Sequence, residues 1–371
     1  MDLRLANIVP EPVKKGLAPV YYRYLSRQAN RDYGPPDYSR SRHSTSPNHV
    51  LLIVVDALRP EQNLNVDLEF STGIAPGTWT FPSITSIHTG ERPSSHGSVA
   101  HTSPDDDEYA MPVQTDSHFY LPKNLDAAGY DTYTGCAFMT PFLAIRGNYQ
   151  THRVYRDAKA ETVLDDYRSW RNNREQTFAY LHLGDLHAPI KPPEKYVKSH
   201  NVDTDLPDLE NIGNYNTDYD PKDSNCVEYR KQKLSLYQAG ADYLSNQLSQ
   251  LFSEVTDDTA ILLVGDHGEC FWEHQELDRQ ISDSRPNYGL GHGGTPFDKL
   301  ARVPIGVSTD VPTPIGGWPS LRDVVPTILG LVTDTNNIAG YDWSNAIPQD
   351  RAAICEGTRY GVERKAVYQN E

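Results

Sequence analysis

Unbroken apolar runs mark the strands of this chain, and apolar residues spaced three to four apart mark its helices. Val50-Leu-Leu-Ile-Val-Val55 is aliphatic throughout, and Thr259-Ala-Ile-Leu-Leu-Val264 repeats the type. Runs that are apolar on both pleat faces belong to strands covered on both sides, as in parallel sheets. Thr177-Phe-Ala-Tyr-Leu-His182 reads as another strand, and so does Tyr130-Asp-Thr-Tyr-Thr134. The stretch 121–128 stops at Gly129 as a helix should. Tyr237, Ala241, Leu244, Leu248 and Leu251 predict a long amphipathic helix over 228–255, its stripe facing the core. Strands that alternate with helices predict an α/β architecture around a mostly parallel sheet.

The remainder of the chain reads as attachments to that unit. Residues 1–47 predict one short helix followed by an extended arm rich in Pro, Ser and Arg from Tyr33 to Pro47. One large domain then covers 48–335. An acidic, Asn/Asp-rich insertion near 199–226 and a polar one near 270–290 are placed as lids over a pocket. The appendage 336–371 carries two short strand candidates after Arg351 and stops early, soon after Val367-Tyr368.

Composition narrows the setting. A formal charge of −16 over 371 residues speaks against broad electrostatic binding to nucleic acid or to anionic membranes. A substrate anion is therefore captured locally. No segment has the length of a membrane span and no secretory signal is seen, so the expectation is a cytoplasmic protein. Cys136, Cys226, Cys270 and Cys355 lack metal-type spacing and are expected to be free thiols. Cys270, although it adjoins a polar block, reads as a packed small residue.

The chemistry concentrates at strand ends. Asp56 follows the first apolar run, and Gly265-Asp266-His267-Gly268-Glu269 follows the second. Ligands of open α/β sheets sit beyond the carboxyl ends of the strands, where these residues stand. Thr80 lies in Trp79-Thr-Phe-Pro-Ser83, just before a predicted helix with Pro82 in its first turn and Gly90 at its far end. A helix N-terminus offers unpaired amides and a positive dipole end to an oxyanion, phosphate or sulfate. Taken singly, each is also what a helix cap or a solvated turn looks like. Together, two carboxylates, an imidazole and a hydroxyl suit a divalent ion, Mn, Zn, Mg or Ca, that activates Thr80 as a nucleophile.

Four ordered blocks give the chain a resemblance to the alkaline phosphatase superfamily, in its sulfatase-like branch. They are Leu52-Ile-Val-Val-Asp56-Ala-Leu-Arg59; Trp79-Thr80-Phe-Pro-Ser83 with Thr89-Gly90-Glu-Arg-Pro93; His182-Leu-Gly-Asp185-Leu-His187; and Gly265-Asp266-His267-Gly268-Glu269. Gly291-His292-Gly293 and Arg302-Val-Pro304 resemble later core motifs. The resemblance implies a three-layer sandwich with a small antiparallel C-terminal appendage. It implies metal ligands Asp56, Thr80, Asp266 and His267, with Thr80 as nucleophile and His187 and His292 facing the transferred group. One tight metal is expected. A second, held by Asp185, His187 and His292, is the alternative. Arg59 contacts the anion or pairs with core carboxylates, Arg302 is read as structural, and His96 is read as supporting the site or as a turn residue.

The departures from that pattern matter for function. Sulfatases proper place a Cys or Ser, converted to formylglycine, where Thr80 stands, and an Arg where Ile84 stands. The threonine resembles the phosphodiesterases, phosphonate hydrolases and phosphoglycerol or phosphoethanolamine transferases. The expectation is a metal-dependent hydrolase of phosphate mono- or diesters through a covalent phospho-threonine, its partner a small anionic ester. Alternatives are sulfate-ester hydrolysis, transfer to an alcohol, and a catalytically silent anion-binding protein.

Overall fold

A computed structural model describes residues 11–62, 64–100, 111–115, 119–206, 208–211, 224–281, 289–309, 311–334, 338–360 and 363–370. The strands are β1 (His49–Val55), β2 (Phe70–Ile74), β3 (Asp131–Cys136), β4 (Thr151–Val154), β5 (Thr177–Leu183), β6 (Thr259–Gly265), β7 (Cys270–Phe271), β8 (Leu290–Gly291), β9 (Arg302–Val307), β10 (Ala353–Gly357) and β11 (Arg364–Tyr368). Seven of them form one sheet in the order β2-β9-β6-β1-β5-β3-β4. β6, β1, β5, β3 and β4 run parallel, whereas β9 pairs antiparallel with both β6 and β2.

The apolar run of β1 explains the layering. Val50, Leu52 and Val54 face one hydrophobic core, and Leu51, Ile53 and Val55 face the other. Two helices, α2 (Thr80–Thr89) and α5 (Val324–Val332), supply the first core through residues such as Ile84, Ile87 and Ile328. The second core is closed by α3 (Ala160–Arg171) and α4 (Ser224–Glu254), the latter through Tyr237, Ala241, Leu244, Leu248 and Leu251. Two faces buried under helices make a three-layer α/β sandwich, and the continuous apolar strands follow from that burial.

The expected elements appear with shifted ends. The helix foreseen over 121–128 runs Leu121–Ala127, with Gly129 at φ 91°, and the strand after it is Asp131–Cys136. The long helix starts at Ser224, four residues earlier than its apolar stripe indicates. Parts of both insertions, 212–223 and 282–288, lie outside the described residues. β10 and β11 form the small antiparallel hairpin, which docks on the main domain where Glu356 N–H donates to Pro76 O at 2.9 Å. The buried Glu356 carboxylate also accepts from Ser94 N at 2.7 Å and Ser94 Oγ at 2.8 Å.

The N-terminal helix is a correction in length: α1 spans Glu11–Asp32, 22 residues, and carries Pro19 inside it. Its apolar pattern is thin because only a narrow face meets the sheet. Ser26 Oγ accepts from Val154 N at 3.1 Å and Asn30 Oδ1 accepts from His152 N at 2.7 Å, so α1 closes the outer edge of β4 with side chains. The arm after it is tied down by Arg40 Nε donating to Asn124 Oδ1 at 2.8 Å and by Ser46 Oγ donating to Val332 O at 2.9 Å. No described helix is long and apolar enough to cross a membrane.

Candidate active site

The parallel strands end at one rim, and the polar residues of the sequence blocks gather there. Asp56 continues the β1 ladder, its amide donating to Leu183 O at 2.9 Å, and its side chain is completely buried. Ala57 then takes a positive φ of 59°, which turns the chain out of the sheet. β6 ends beside it with Asp266 and His267, both completely buried. Gly268 is required there: a Cβ would lie 1.9 Å from Lys299 O.

Thr80 is the first residue of α2, one position further in than the sequence indicates. Its Oγ1 donates to Asp56 Oδ2 at 3.0 Å and lies 3.4 Å from His267 Nε2. The first turn of α2 leaves amides without helical partners, and Pro82 removes a donor that would have had none. Ile84 is buried in the apolar core, so α2 brings no cation to the site.

Asp56, Asp266 and His267 each direct one ligand atom into a common space, and these three atoms lie within 4.8 Å of one another. His267 Nδ1 faces Gly268 O at 2.8 Å; a carbonyl only accepts, so Nδ1 carries the proton and Nε2 presents its lone pair to the cluster. Burial, followed by neighbouring His292, pushes the His267 pKa down to about 3, so the ring is neutral. Asp266 Oδ1 accepts from His267 N at 2.9 Å and Ala57 N at 3.3 Å. Its Oδ2, like Asp56 Oδ1, is buried with no hydrogen-bond partner.

The carboxyl pair divides its charge unequally. Burial opposes ionisation of Asp56, but His187 nearby and the hydrogen bond with His182 outweigh it and hold the group well below the usual carboxylate range. Burial and the Asp56 charge push Asp266 well above that range. Two facing carboxylates with orphaned oxygens and a neutral imidazole nitrogen form the donor set of a hard to borderline divalent ion, so these residues fit a metal.

Other expected residues are sorted by their partners. His187 stacks on Phe138 with ring centroids 5.1 Å apart, and also stands 5.1 Å from the His292 ring. His292 lies 4.4 Å from the His267 ring and bonds Glu269 Oε2 through Nδ1 at 3.1 Å. Burial pushes Glu269 up to about 7 and His292 well below its ordinary value. Asp185 does not join them: its carboxylate accepts from Ala160 N at 3.0 Å and caps the entry of α3. Among the described residues, the only cluster shaped to hold a metal is Asp56, Asp266 and His267, and Asp185, the alternative ligand of a second ion, stands outside it.

Of the two alternatives for Arg59, the structure shows the pairing with carboxylates. Its guanidinium pairs with Glu61 and, at 2.8 Å, with Glu273, above the Phe271 ring. Arg302 stacks on Trp318 and Tyr368, and His96 bonds Ser86 Oγ at 3.1 Å. Cys270 touches the cavity wall, but burial pushes its thiol well above the ordinary range.

Three contributors were not identified from sequence. His182 Nε2 lies 3.0 Å from Asp56 Oδ2, and Tyr180 OH lies 2.7 Å from its Nδ1. A histidine inside an otherwise apolar buried strand is the signal that calls for such a partner. Glu269 sits within a recognised block but finds His292 only through the fold. Arg359, from the C-terminal hairpin, lies over the Trp79 and Tyr360 rings at 5.1 and 5.3 Å. It lines, with Thr80, His187 and His292, a cavity of roughly 370 Å³.

Comparison with known proteins agrees with this fold. The family model described as Sulfatase matches residues 62–333. No curated protein sequence matches significantly. Among solved structures, the phosphonate monoester hydrolase of Agrobacterium radiobacter is 15% identical, with a TM-score of 0.58 over 84% of this chain and 80% of that one. The C-terminal periplasmic domain of phosphoethanolamine transferase EptC from Campylobacter jejuni is 16% identical, with a TM-score of 0.57 over 82% and 96%. BT1596, a 2-O GAG sulfatase, is 13% identical, with a TM-score of 0.53 over 84% and 77%. At these identities the likeness is one of fold.

Proposed function

Because this chain belongs to the sulfatase family, we propose that it is a metal-dependent phosphoesterase that cleaves phosphate mono- or diesters through a covalent phospho-threonine on Thr80. The observation that carries this reading is the Thr80 hydroxyl, which donates to Asp56 Oδ2 at 3.0 Å from the first turn of α2. That bond aims the proton at a carboxylate and leaves oxygen lone pairs for attack. Asp56, Asp266 and His267, with Thr80 beside them, would hold one divalent ion, of the class Mn, Zn, Mg or Ca. When bound, the ion neutralises charge on the transferred group and favours the ionised hydroxyl.

The protein's own groups account for the remaining steps. Amides at the α2 N-terminus and the helix dipole favour an anion beside Thr80. His187 and His292 face the cavity and are placed to hydrogen-bond oxygens of the transferred group, and His187 also to give a proton to the leaving oxygen. In-line attack by Thr80 Oγ1 forms the P–O bond as the ester P–O bond breaks. A water or a second alcohol then displaces Thr80 in the same sense.

Phosphate is favoured over sulfate because a threonine has no route to a formylglycine hydrate, so a sulfated residue 80 would have to be cleared by direct attack at sulfur. The expected result is that kcat/KM for p-nitrophenyl phosphate or its bis-ester exceeds that for p-nitrophenyl sulfate by about tenfold, or about 1.4 kcal/mol of transition-state preference. The comparison is run with saturating Mn²⁺, Zn²⁺, Mg²⁺ or Ca²⁺. Sulfate hydrolysis as the fastest reaction refutes the reading.

A further inference from the structure

β5 carries two polar tips on a face that is otherwise apolar. Tyr180 and His182 stand two residues apart, so they project to the same side of the sheet, where Phe178 and Tyr180 join the first core. In the register of β1 and β5, His182 lies opposite Val54, two residues before Asp56. Both side chains are completely buried. Burying an imidazole and a phenol is costly unless each is hydrogen-bonded, and the bonds these two make lead to one carboxylate.

Asp56 Oδ2 has two neighbours at 3.0 Å, Thr80 Oγ1 and His182 Nε2. The carboxylate oxygen accepts, so Nε2 carries a proton and donates it. Tyr180 OH stands 2.7 Å from Nδ1 of the same ring. Among the described residues that hydroxyl has no other hydrogen-bond partner, so its proton lies on this bond and Nδ1 accepts it. The rings are held in place from the side. Phe138 meets His182 edge to face at 5.4 Å, His88 meets Tyr180 edge to face at 4.7 Å, and Tyr149 stacks on Tyr180 at 6.3 Å.

The two oxygens of Asp56 are thus occupied differently. Oδ2 receives two donors, one for each lone pair. Oδ1 is buried without a hydrogen-bond partner and lies 3.5 Å from His267 Nε2, within the cluster that fits a metal. The carboxylate torsion of an aspartate is soft, so without a second donor on Oδ2 the group is free to turn both oxygens toward the ion and away from Thr80. We propose that His182, oriented by Tyr180, is a positioning residue that divides the work of Asp56: it pins Oδ2 as the acceptor of the Thr80 proton and so keeps Oδ1 directed at the metal space. Its effect on turnover rests on the reading of Thr80 as nucleophile; its effect on the metal does not.

The test compares two amide side chains at position 182 of the full chain. Gln places its NH₂ group where Nε2 stands, whereas Asn ends at the level of Nδ1 and falls short of Asp56. Zn²⁺ and Mn²⁺, each alone, are titrated by calorimetry. Rates on p-nitrophenyl phosphate are taken at saturating metal, and metal-free Tm serves as the control for folding. His182→Asn is expected to weaken metal binding by about tenfold or more and, with metal saturating, to lower kcat by about tenfold or more. KM should stay unchanged, because His182 does not line the cavity. His182→Gln is expected to recover most of both losses, and Tyr180→Phe, which spares the bond to Asp56, to lose less than His182→Asn. Wild-type metal affinity and kcat in His182→Asn, or equal losses in the Asn and Gln variants at matched Tm, overturn the assignment. Should His182→Asn not fold, Tyr180→Phe decides, and wild-type behaviour in that variant overturns it. If the wild type hydrolyses no phosphate ester, the phosphoesterase reading fails while the calorimetric contrast between Gln and Asn still decides this one.

Discussion

Asp266→Asn is expected to separate metal binding from folding. The substitution keeps an Oδ1 that accepts from the His267 and Ala57 amides, as Asp266 Oδ1 does. It replaces the orphaned Oδ2 with an NH₂ group in the cluster that also holds Asp56, whose Oδ1 is orphaned too. In the metal-free wild type, two ionised carboxylates with ligand atoms within 4.8 Å would repel by about 3.5 kcal/mol at an effective dielectric of about 20. Proton uptake by Asp266, pushed well above the usual range, lowers that ceiling. The metal-free variant should thus match or exceed the metal-free wild type in stability. Metal at a hundredfold its Kd adds about 2.7 kcal/mol to wild type, raising Tm by roughly 3.5 °C in a chain of this size, and adds little to the variant. Differential scanning fluorimetry in chelator and across a Mn²⁺ or Zn²⁺ titration, together with elemental analysis, measures both. A full metal-induced shift in the variant, or a drop in its metal-free Tm, refutes the donor assignment.

Two further outcomes are expected. Thr80→Ala should remove turnover by a factor of about 10³ or more with Tm changed little, and Thr80→Ser should retain part of the activity; single-turnover assays and thermal melts check this, and near wild-type rates in the alanine variant would move the nucleophile elsewhere. Stability should fall as pH drops from about 6.5 toward 4, because burial holds His88 and His96 down to about 4 and His152 to about 3. The unfolded chain then binds more protons in that window, so the stabilisation is complete above the unfolded pKa and is lost as pH approaches the folded values. Chemical denaturation at stepped pH measures it, and a flat profile between pH 6.5 and 4.5 would contradict the buried neutral state of these rings.

What was legible in the sequence was what local pattern can encode. Val50–Val55 and Thr259–Val264 announce strands buried on both faces, and the residues after them, Asp56, Asp266 and His267, do converge. The long-range partners of Arg59 and Asp185 were not legible. Glu273 lies far along the chain from Arg59, and Ala160 precedes Asp185 by a whole strand and helix, so only the folded sheet brings each pair together. Arg359 escaped for a related reason. It belongs to a hairpin that borders the cavity because Glu356 docks on Pro76, a contact no periodicity encodes. α1 was underestimated because its apolar stripe is short, Tyr22, Leu25 and Ala29, and part of its hold on the sheet is polar, through Ser26 and Asn30.

Those two side chains have a consequence for how copies of the molecule behave toward one another. On the outer side of β4, the amides of His152 and Val154 are met by Asn30 and Ser26, not by another strand. A form lacking α1 would lose Tyr22, Leu25 and Ala29 from one side of the first core and present a bare β ladder to its neighbours, inviting intermolecular strand pairing. The first helix thus acts as a stopper that keeps the sheet finite, with a hydroxyl and a side-chain amide filling the place of a further strand.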